Sequence, residues 1–357
     1  MSIYEQFGVS PIINVSGAVT RLGGAPMPDA VLQAFTSATG EAVPLEQLQA
    51  AASRKISRLT ATEAGLVTAG SAAALTLGTA AILAGNDPGR MERLPHCAGF
   101  PCEFIVAREQ RSGYDHAVRA AGARLIEVGF NEIVANAGVR RTEPWEYEAA
   151  IGPQTAGVLY VYSPDSQPLL ERVVEVARRN RLPVLVDAAG ELPPRKNLEL
   201  IAARGADLVA FSGGKAIRGP QSTGILCGRR DLIASAAVQM LDMDDHYDLW
   251  DPPPDFIEKR EFAGIPRHGI GRTMKVSKEE IVGLLTALDL FVSGAYDCHV
   301  AESRLWLETI ATHLAGAPVR CQIIDTSDGE TLPRLEIAVD ERRLGKNAFD
   351  VCRRLRA

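Results

Sequence analysis

A lysine in a glycine-rich turn is the residue of this sequence whose surroundings point most directly to chemistry. Lys215 follows Gly213-Gly214 and precedes Gly219-Pro220. The segments 207–211 and 224–227 on either side are apolar and predicted as strands, so the turn joins two buried strands. Lysine is rarely buried without a partner, and its amine reacts with carbonyl groups once neighbours favour its neutral form. We therefore predict that Lys215 forms a Schiff base.

A carboxylate precedes this lysine by one strand–helix–strand unit. Asp187 ends the apolar segment 184–186, the position at which open α/β sheets place their ligands. The interval between Asp187 and Lys215 is 28 residues (215 − 187). A carboxylate on the ring nitrogen and a Schiff-base lysine are the pair that pyridoxal 5'-phosphate (PLP) requires, so we predict this cofactor. The structural alternative is a salt-bridged lysine in a hairpin and an aspartate that caps the next helix.

A third segment has the composition of a phosphate-binding helix start. A short apolar strand, Ala64 to Thr68, leads into Gly70, Ser71 and Ala72, where a helix is predicted to begin. Small residues at a helix start let a phosphate approach the free backbone N–H groups, and the helix dipole assists. The hydroxyl of Ser71 adds a donor. The alternative is a tightly packed, alanine-rich core helix, which is also the expected role of its later turns.

The order of predicted elements indicates the fold class. Strands alternate with helices from Ala64 to Ala210, which predicts an α/β fold with a mainly parallel sheet and helices on both faces. Later helices and the predicted strands 320–325 and 334–339 form a small C-terminal α+β domain. The predicted domains, in chain order, are an N-terminal arm at 1–30, a large PLP-binding domain at 31–260 and the small domain at 261–357.

Three segments carry a wider resemblance: FSGGKAIRGPQSTG at 211–224, NVSGAVTRLGG at 14–24 and GRTMKV at 271–276. They resemble the selenocysteine-synthase-like (SelA-like) family of PLP proteins, and most strongly its D-glucosaminate-6-phosphate ammonia-lyase branch. The resemblance covers nearly the whole chain. It implies the PLP-dependent transferase fold (fold type I, the aspartate-aminotransferase fold) and active sites between subunits, hence a homodimer or a higher homo-oligomer.

The resemblance also suggests where the substrate binds. N-terminal arms of this fold commonly border the active site, so Asn14, Thr20 and Arg21 are candidate substrate contacts. Arg272 is the candidate for the substrate carboxylate, because a guanidinium fork matches carboxylate geometry. The alternatives for Arg272 are a structural salt bridge or a substrate or cofactor contact by Arg267 or His268 instead. An arm that only packs on the body is the alternative for the other three.

Two further residues are candidates for contact with the cofactor. Proteins of this fold usually stack a flat side chain on one face of the pyridine ring, and His116 lies in the corresponding loop-to-helix region. It could equally cap the helix or lie exposed, which is the commoner position of a single histidine. Ser212 belongs to the matched lysine segment and is counted with the cofactor-binding residues.

Composition and charge exclude several classes of partner. The 357 residues carry a formal charge of −6 (38 − 44), which argues against a broad nucleic-acid surface, since such binding relies on clustered Lys and Arg. The most apolar long run, 66–83, is rich in small residues and suits a buried helix better than a membrane span. No signal peptide is recognised, so we expect a cytoplasmic protein. The small-molecule amino acid substrate is what the resemblance to PLP enzymes implies.

No metal site is expected from the sequence. The six cysteines lack metal-ligand spacing and are interpreted as reduced thiols. The acidic stretch that contains Asp244, Asp245, His246 and Asp248 lacks fixed ligand spacing as well, and it is interpreted as a lid or interface loop. The chain ends on a predicted helix, so by comparison with the family we expect a small domain that is either incomplete or closed differently.

The resemblance implies an ammonia-lyase (EC 4.3.1.-) that acts on a hydroxy- or sugar-type amino acid. α,β-Elimination of a β-hydroxyl group would give a 2-keto acid and ammonia. Three alternatives stay open: a PLP-dependent racemase or epimerase, a selenocysteine-synthase-type transferase on aminoacyl-tRNA, and a catalytically inactive binding protein with the PLP fold. The acidic balance disfavours the transferase, and the intact pair of Asp187 and Lys215 disfavours the inactive protein.

Overall fold

A computed structural model describes residues 2–130, 141–241, 243–326 and 328–356. It divides into two compact units. Unit 1 comprises Met1–Leu192 and Lys196–Asp289, and unit 2 comprises Pro193–Arg195 and Leu290–Ala357. The predicted domain bounds at 30 and 260 stay a prediction.

Helices account for much of both units. In chain order they are α1 (Asp29–Ala38), α2 (Leu45–Thr60), α3 (Ser71–Ala84), α4 (Pro88–Arg93), α5 (Asp115–Ala120), α6 (Pro144–Ala149), α7 (Leu170–Arg179), α8 (Asn197–Ala203), α9 (Arg230–Met240), α10 (Lys278–Val292), α11 (Cys298–His313), α12 (Glu341–Leu344) and α13 (Ala348–Leu355). Short 3₁₀ turns occur at Ile3–Phe7, Thr20–Leu22, Arg108–Gln110, Lys259–Glu261 and Ile270–Met274.

Strands form one sheet in each unit. They are β1 (Ala64–Thr68), β2 (Glu103–Ala107), β3 (Arg124–Val128), β4 (Thr155–Val161), β5 (Val184–Asp187), β6 (Leu208–Ser212), β7 (Gly224–Gly228), β8 (Val319–Ile324) and β9 (Arg334–Val339). The sheet of unit 1 has the order β1-β7-β6-β5-β4-β2-β3. All of its pairs are parallel except those of β7, which runs antiparallel to β1 and β6.

Helices cover both faces of this sheet, as the sequence predicts. Gly78 of α3 faces the side chains of Leu185, Leu208 and Leu226, so α3 lies on one face. Leu226 pairs with Leu66 of β1, and side chains of neighbouring strand residues point to opposite faces. Gly65 therefore points the other way, and there its backbone approaches Ile56 of α2.

One edge of the sheet gathers the segments that the sequence marks for chemistry. Because β1, β5 and β6 run in the same direction, their carboxyl ends lie at one edge, where open α/β sheets bind ligands. Thr68 and Ser212 both pair with Gly224 of β7. Asp187 pairs with Ala210 of β6, two residues before Ser212. The sheet thus places Asp187, the lysine turn and the start of α3 side by side.

Unit 2 is a small α+β unit. Its strands β8 and β9 form an antiparallel pair, and α11 packs against both. The mainly parallel sheet of unit 1 and this α+β unit confirm the fold class predicted from the sequence. Among the described residues, no helix combines the length and the apolar character needed to cross a membrane.

One helix of unit 1, α4, was not predicted, and α8 was predicted only as the helix, without bounds, of the strand–helix–strand unit between Asp187 and Lys215. α4 begins with Pro88, and the side chain of Asp87 accepts hydrogen bonds from the N–H groups of Gly89 and Arg90, so its start signal is present in the sequence. α8 begins without a side-chain capping bond and therefore has no comparable signal. Its packing against α2 and β6 places it in the fold.

A glycine-to-alanine change tests the contact between the lysine turn and α3. A Cβ atom at Gly224 would lie 2.4 Å from the carbonyl carbon of Gly70 and 2.6 Å from the nitrogen of Ser71. Both atoms belong to the backbone and cannot rotate away. We expect Gly224→Ala to lower the free energy of unfolding by about 1–3 kcal/mol, measured by urea denaturation.

Gly152 supplies the matched control, because a Cβ atom there would meet no heavy atom within 4 Å. Gly152→Ala is expected to change the free energy of unfolding by no more than about 0.5 kcal/mol. Equal stability of the two variants would contradict the described contact.

Candidate active site

The lysine turn, defined as residues 212–224, is held by its own backbone. The N–H of Gly213 donates to the carbonyl of Thr223 at 2.8 Å, and the N–H of Gly219 donates to the carbonyl of Gly213 at 2.9 Å. The N–H of Arg218 donates to the carbonyl of Lys215 at 3.0 Å. These bonds fold the turn back on itself, so Lys215 stands on a closed loop between β6 and β7.

Close approaches explain why glycine precedes the lysine. A Cβ atom at Gly214 would lie 2.7 Å from the backbone of Gln221 on the opposite side of the loop. A Cβ atom at Gly213 would lie 2.3 Å from Oγ1 of Thr223. The loop can close at this width only because both residues lack a side chain.

The amine of Lys215 is available for chemistry. The residue is half-buried, and no described side chain forms a hydrogen bond or an ion pair with its Nζ atom. Its charge still acts on two carboxyl groups, those of Asp187 and Glu191. The structure therefore brings Lys215 and Asp187 together, as the sequence predicts.

Asp187 is a buried carboxyl group with few hydrogen bonds to compensate for its loss of hydration. Only 8% of its surface is exposed, and its Oδ1 accepts one hydrogen bond, from the N–H of Ala189 at 3.0 Å. Burial raises the pKa of Asp187 above its ordinary value, and the Ala189 hydrogen bond and the charge of Lys215 lower it only in part. A protonated ring nitrogen placed against this carboxyl group would favour its ionised form.

Glu191 is a site residue that the sequence interpretation missed. It lies four residues after Asp187, in the turn that follows β5, and is half-buried. Burial raises its pKa most, the charge of Asp187 raises it further, and the charge of Lys215 lowers it. The available signal was its position: a carboxylate in the loop that directly follows a strand-end aspartate lies at the ligand-binding edge of the sheet.

The start of α3 adjoins the lysine turn. Its N-cap residue, Gly70, has φ +89° and provides no side-chain capping bond, and the first N–H groups of a helix have no intrahelical acceptor. Gly224 of the turn packs directly against the backbone of Gly70 and Ser71. A Cβ atom at Gly70 would meet nothing within 4 Å, so open space borders these donors.

Part of the N-terminal segment also reaches the turn. The Nε of Arg218 donates to the carbonyl of Pro26 at 3.1 Å. At Gly24, a Cβ atom would lie 1.4 Å from Oε1 of Gln221, so the backbone of residue 24 rests on that side chain. Residues 24–26 therefore lie on the lysine turn.

The predicted substrate contacts of the arm are not brought to Lys215 by any described contact. Asn14 uses its side chain locally: Nδ2 donates to the carbonyl of Gly17, and Oδ1 accepts from the N–H of Ser16, both at 2.9 Å. Thr20 and Arg21 are exposed. Their roles stay predictions.

His116 and Arg272 lie on segments that pack against α3. His116 is exposed, and its Nδ1 lies 3.1 Å from an Nη atom of Arg119. Its helix α5 is tied to α3 by the hydroxyl of Thr76, which donates to the carbonyl of Ala117 at 2.8 Å. Arg272 is half-buried in the 3₁₀ turn 270–274, next to Gly271, whose backbone approaches Leu77 of α3. Contacts of either residue with a ligand stay predictions.

The residues present fit PLP. The cofactor needs a carboxylate for its ring nitrogen, an amine for its carbonyl carbon and donors for its phosphate. Asp187 and Lys215 would supply the first two, and the charge of Lys215 acts on Asp187. The first N–H groups of α3, bordered by open space at Gly70, would supply the third.

Comparisons with known proteins agree with this arrangement. The family model of SelA, L-seryl-tRNA selenium transferase, matches residues 115–243. A Salmonella typhimurium D-glucosaminate-6-phosphate ammonia lyase is 29% identical over 363 residues, 99% of this chain and 87% of the relative. A Streptomyces 5'-C-glycyluridine monooxygenase-decarboxylase is 29% identical over 360 residues, 99% of this chain and 82% of the relative.

Solved structures extend the agreement to the fold. The structure of a D-glucosaminate-6-phosphate ammonia-lyase gives a TM-score of 0.78 with 28% identity, over 98% of this chain and 86% of that chain. A Thermus thermophilus aspartate aminotransferase double mutant, 18% identical with a TM-score of 0.50 over 89% of this chain and 75% of that chain, shares the fold alone. The resemblance found in the sequence is confirmed: the chain is similar to SelA over residues 115–243 and to a D-glucosaminate-6-phosphate ammonia lyase over nearly its full length, and it has the fold-type I architecture of PLP-dependent enzymes.

Proposed function

We propose that this protein is a PLP-dependent ammonia-lyase that acts on a hydroxy- or sugar-type amino acid. The observation that carries the proposal is the pairing of buried Asp187 with Lys215 at the carboxyl edge of the sheet. Similarity to an ammonia lyase over 99% of the chain supports this reaction class. The products would be a 2-keto acid and ammonia.

Each part of the site has a role in holding the cofactor. Lys215 would bond to the carbonyl carbon of PLP, and Asp187 would accept a hydrogen bond from the ring nitrogen. The start of α3, at Gly70, Ser71 and Ala72, would bind the phosphate through its backbone N–H groups. Ser212 at the end of β6 would border the ring, and His116 would stack on one face of it.

The side chains of Lys215 and Asp187 would control the proton transfers of the reaction. When bound, PLP supplies an electron sink for the pair of electrons left on the α-carbon. Lys215, released from the cofactor by the substrate amine, would remove the α-proton as the general base. The proton on the ring nitrogen would hold Asp187 in its charged form, because a nearby opposite charge offsets the desolvation that raises its pKa.

The substrate would bind by its carboxylate to Arg272, and Asn14, Thr20 and Arg21 would be further substrate contacts. The resemblance supports these four assignments. For Arg272 the match of a guanidinium fork to a carboxylate is the physical argument.

We also propose that the enzyme is a cytoplasmic homo-oligomer. Several apolar side chains of the N-terminal segment are exposed in the single chain, including Ile13 at 92% and Val15 at 88%. Exposed apolar side chains concentrated in one segment of the chain fit an interaction site. A second copy of the chain is the partner expected for this fold.

Replacement of the lysine tests the cofactor and the reaction together. We expect borohydride treatment of the PLP-loaded protein to attach the cofactor covalently to Lys215, as read by peptide mass spectrometry. Lys215→Ala should give no adduct and should release ammonia from D-glucosaminate 6-phosphate or other hydroxyamino acids at least about 10²-fold more slowly, since its general base is lost.

Lys275→Ala is the matched control, because Lys275 is exposed and has no assigned role. It should keep both the adduct and the activity. The wild-type protein should release keto acid and ammonia in equal amounts, with or without oxygen. Inversion of the substrate's configuration without formation of keto acid would show that the protein is a racemase and not a lyase. A wild-type protein that takes up no PLP would refute the proposal.

Burial of Asp187 predicts a pH dependence of stability in the cofactor-free protein. Its pKa is raised in the folded state, so the unfolded state loses the proton first as pH rises above the ordinary aspartate range, about 4. Stability contributed by the protonated form is therefore lost as pH rises towards the folded-state pKa. We expect Asp187→Asn, which keeps an acceptor for Ala189, to lack this loss.

The measurement is the difference in melting temperature between Asp187→Asn and the wild type across that pH range. The variant should gain stability relative to the wild type as pH rises to neutral. A difference that is independent of pH would show that the carboxyl group is not destabilised by burial.

Arg272→Lys tests the proposed carboxylate contact. Lysine keeps the charge but loses the paired geometry, and one hydrogen bond to a charged group contributes about 1.5–3 kcal/mol. We expect KM to rise by about 10- to 100-fold, with a smaller change in kcat. An unchanged KM in steady-state kinetics would remove Arg272 from the substrate site.

A further inference from the structure

Glu191 places a second carboxyl group beside the predicted catalytic pair. It lies in the turn after β5, where its N–H donates to the carbonyl of Ala188 at 3.1 Å. The buried side chain of Asn197 donates to the carbonyl of Glu191 at 2.7 Å. The backbone of this residue is therefore anchored at the same edge of the sheet as Asp187 and Lys215.

The carboxyl group itself is not anchored. Among the described residues, no side chain or backbone group forms a hydrogen bond or an ion pair with the carboxyl oxygens of Glu191. The charged groups that act on it are Asp187 and Lys215. The half-buried carboxyl group of Glu191 is influenced by the charges of Asp187 and Lys215 but forms no bond with either. It therefore remains available for a ligand.

We propose that Glu191 is the proton donor to the leaving β-hydroxyl group, an inference that rests on the elimination reaction proposed above. The α C–H bond breaks, and its proton goes to the amine of Lys215. The electron pair left on the α-carbon forms the Cα–Cβ double bond as the Cβ–O bond breaks. The oxygen leaves with that bonding pair and the proton of Glu191, as water. Hydrolysis of the resulting enamine consumes one water and gives the 2-keto acid and ammonia, so no oxidant or reductant is required.

The charges around Glu191 suit the timing of this transfer. Burial and the charge of Asp187 favour its protonated form, and the charge of Lys215 opposes them. While the lysine is neutral, that opposition is absent and the proton is retained. Once Lys215 takes up the α-proton it becomes cationic, which makes Glu191 a stronger acid at the moment when the leaving group needs a proton.

The alternative is a structural carboxylate that only balances the charge of Lys215. The two roles differ in the step that they affect. A proton donor to the leaving group is needed for loss of the hydroxyl group and not for removal of the α-proton, whereas a residue that only supports Lys215 affects both steps alike.

The test compares the PLP-loaded wild type with Glu191→Gln in deuterated water, with D-glucosaminate 6-phosphate as the probe. Nuclear magnetic resonance follows keto acid formation and, separately, deuterium entry at the α-carbon of unreacted substrate. We expect Glu191→Gln to form keto acid about 10²–10⁴-fold more slowly while α-deuterium exchange stays at or above the wild-type rate. Glu199→Gln, an exposed carboxylate on α8, is the matched control and should behave as the wild type.

Two results in this assay would overturn the proposal. Keto acid formation within about threefold of the wild type would exclude Glu191 as the donor, and a parallel fall of both rates would assign it to support of Lys215. If the wild type itself releases no keto acid from this probe or from other hydroxyamino acids, the proposed lyase function fails, and the role of Glu191 fails with it.

A second readout does not depend on activity. In cofactor-free protein, the infrared difference spectrum of wild type minus Glu191→Gln should contain the C=O stretch of a protonated carboxyl group that persists above the ordinary glutamate range. In a Lys215→Met background, which lacks the opposing charge, this band should persist to still higher pH. A band that titrates in the ordinary range in both backgrounds would refute the proposed coupling.

Discussion

Everything at this site depends on a carboxyl group held out of water beside an amine. Asp187 is 8% exposed and accepts one described hydrogen bond. A buried carboxyl group without a full set of partners is unfavourable in its charged form. A protonated heterocyclic nitrogen would restore that charge, and the charge of Lys215 already acts on the same carboxyl group. Stability is thus given up at the position where a ligand can compensate for it.

The rest of unit 1 holds this pair in place. Ser212 and Thr68 lie on either side of Gly224, so the sheet register alone brings the lysine turn next to the start of α3. The turn closes through backbone bonds across glycines that have no space for a side chain. The side chains of Asp187 and Lys215 are therefore positioned by a strand end and by a closed loop. Backbone contacts within that loop oppose small displacements of Lys215.

Local patterns predicted the parts of the site that stand next to strands. The strand before Asp187, the glycine turn around Lys215 and the helix start at Ser71 each carry their own signal, and the alternation of elements predicted the fold class. Glu191 was missed although its position after a strand-end aspartate was a local signal, because the charge of Lys215 acts on its carboxyl group only once β5 and β6 pair. The contact of Pro26 with Arg218 joins residues 192 positions apart, and no local pattern encodes such a distance.

The most direct test of this account is a crystal structure of the protein soaked or grown with PLP. We predict one ring with its carbonyl carbon bonded to Nζ of Lys215. Its ring nitrogen should lie within hydrogen-bonding distance, about 2.6–3.2 Å, of a carboxyl oxygen of Asp187. A ring bound elsewhere, or one held by Lys215 with its nitrogen turned away from Asp187, would contradict the account.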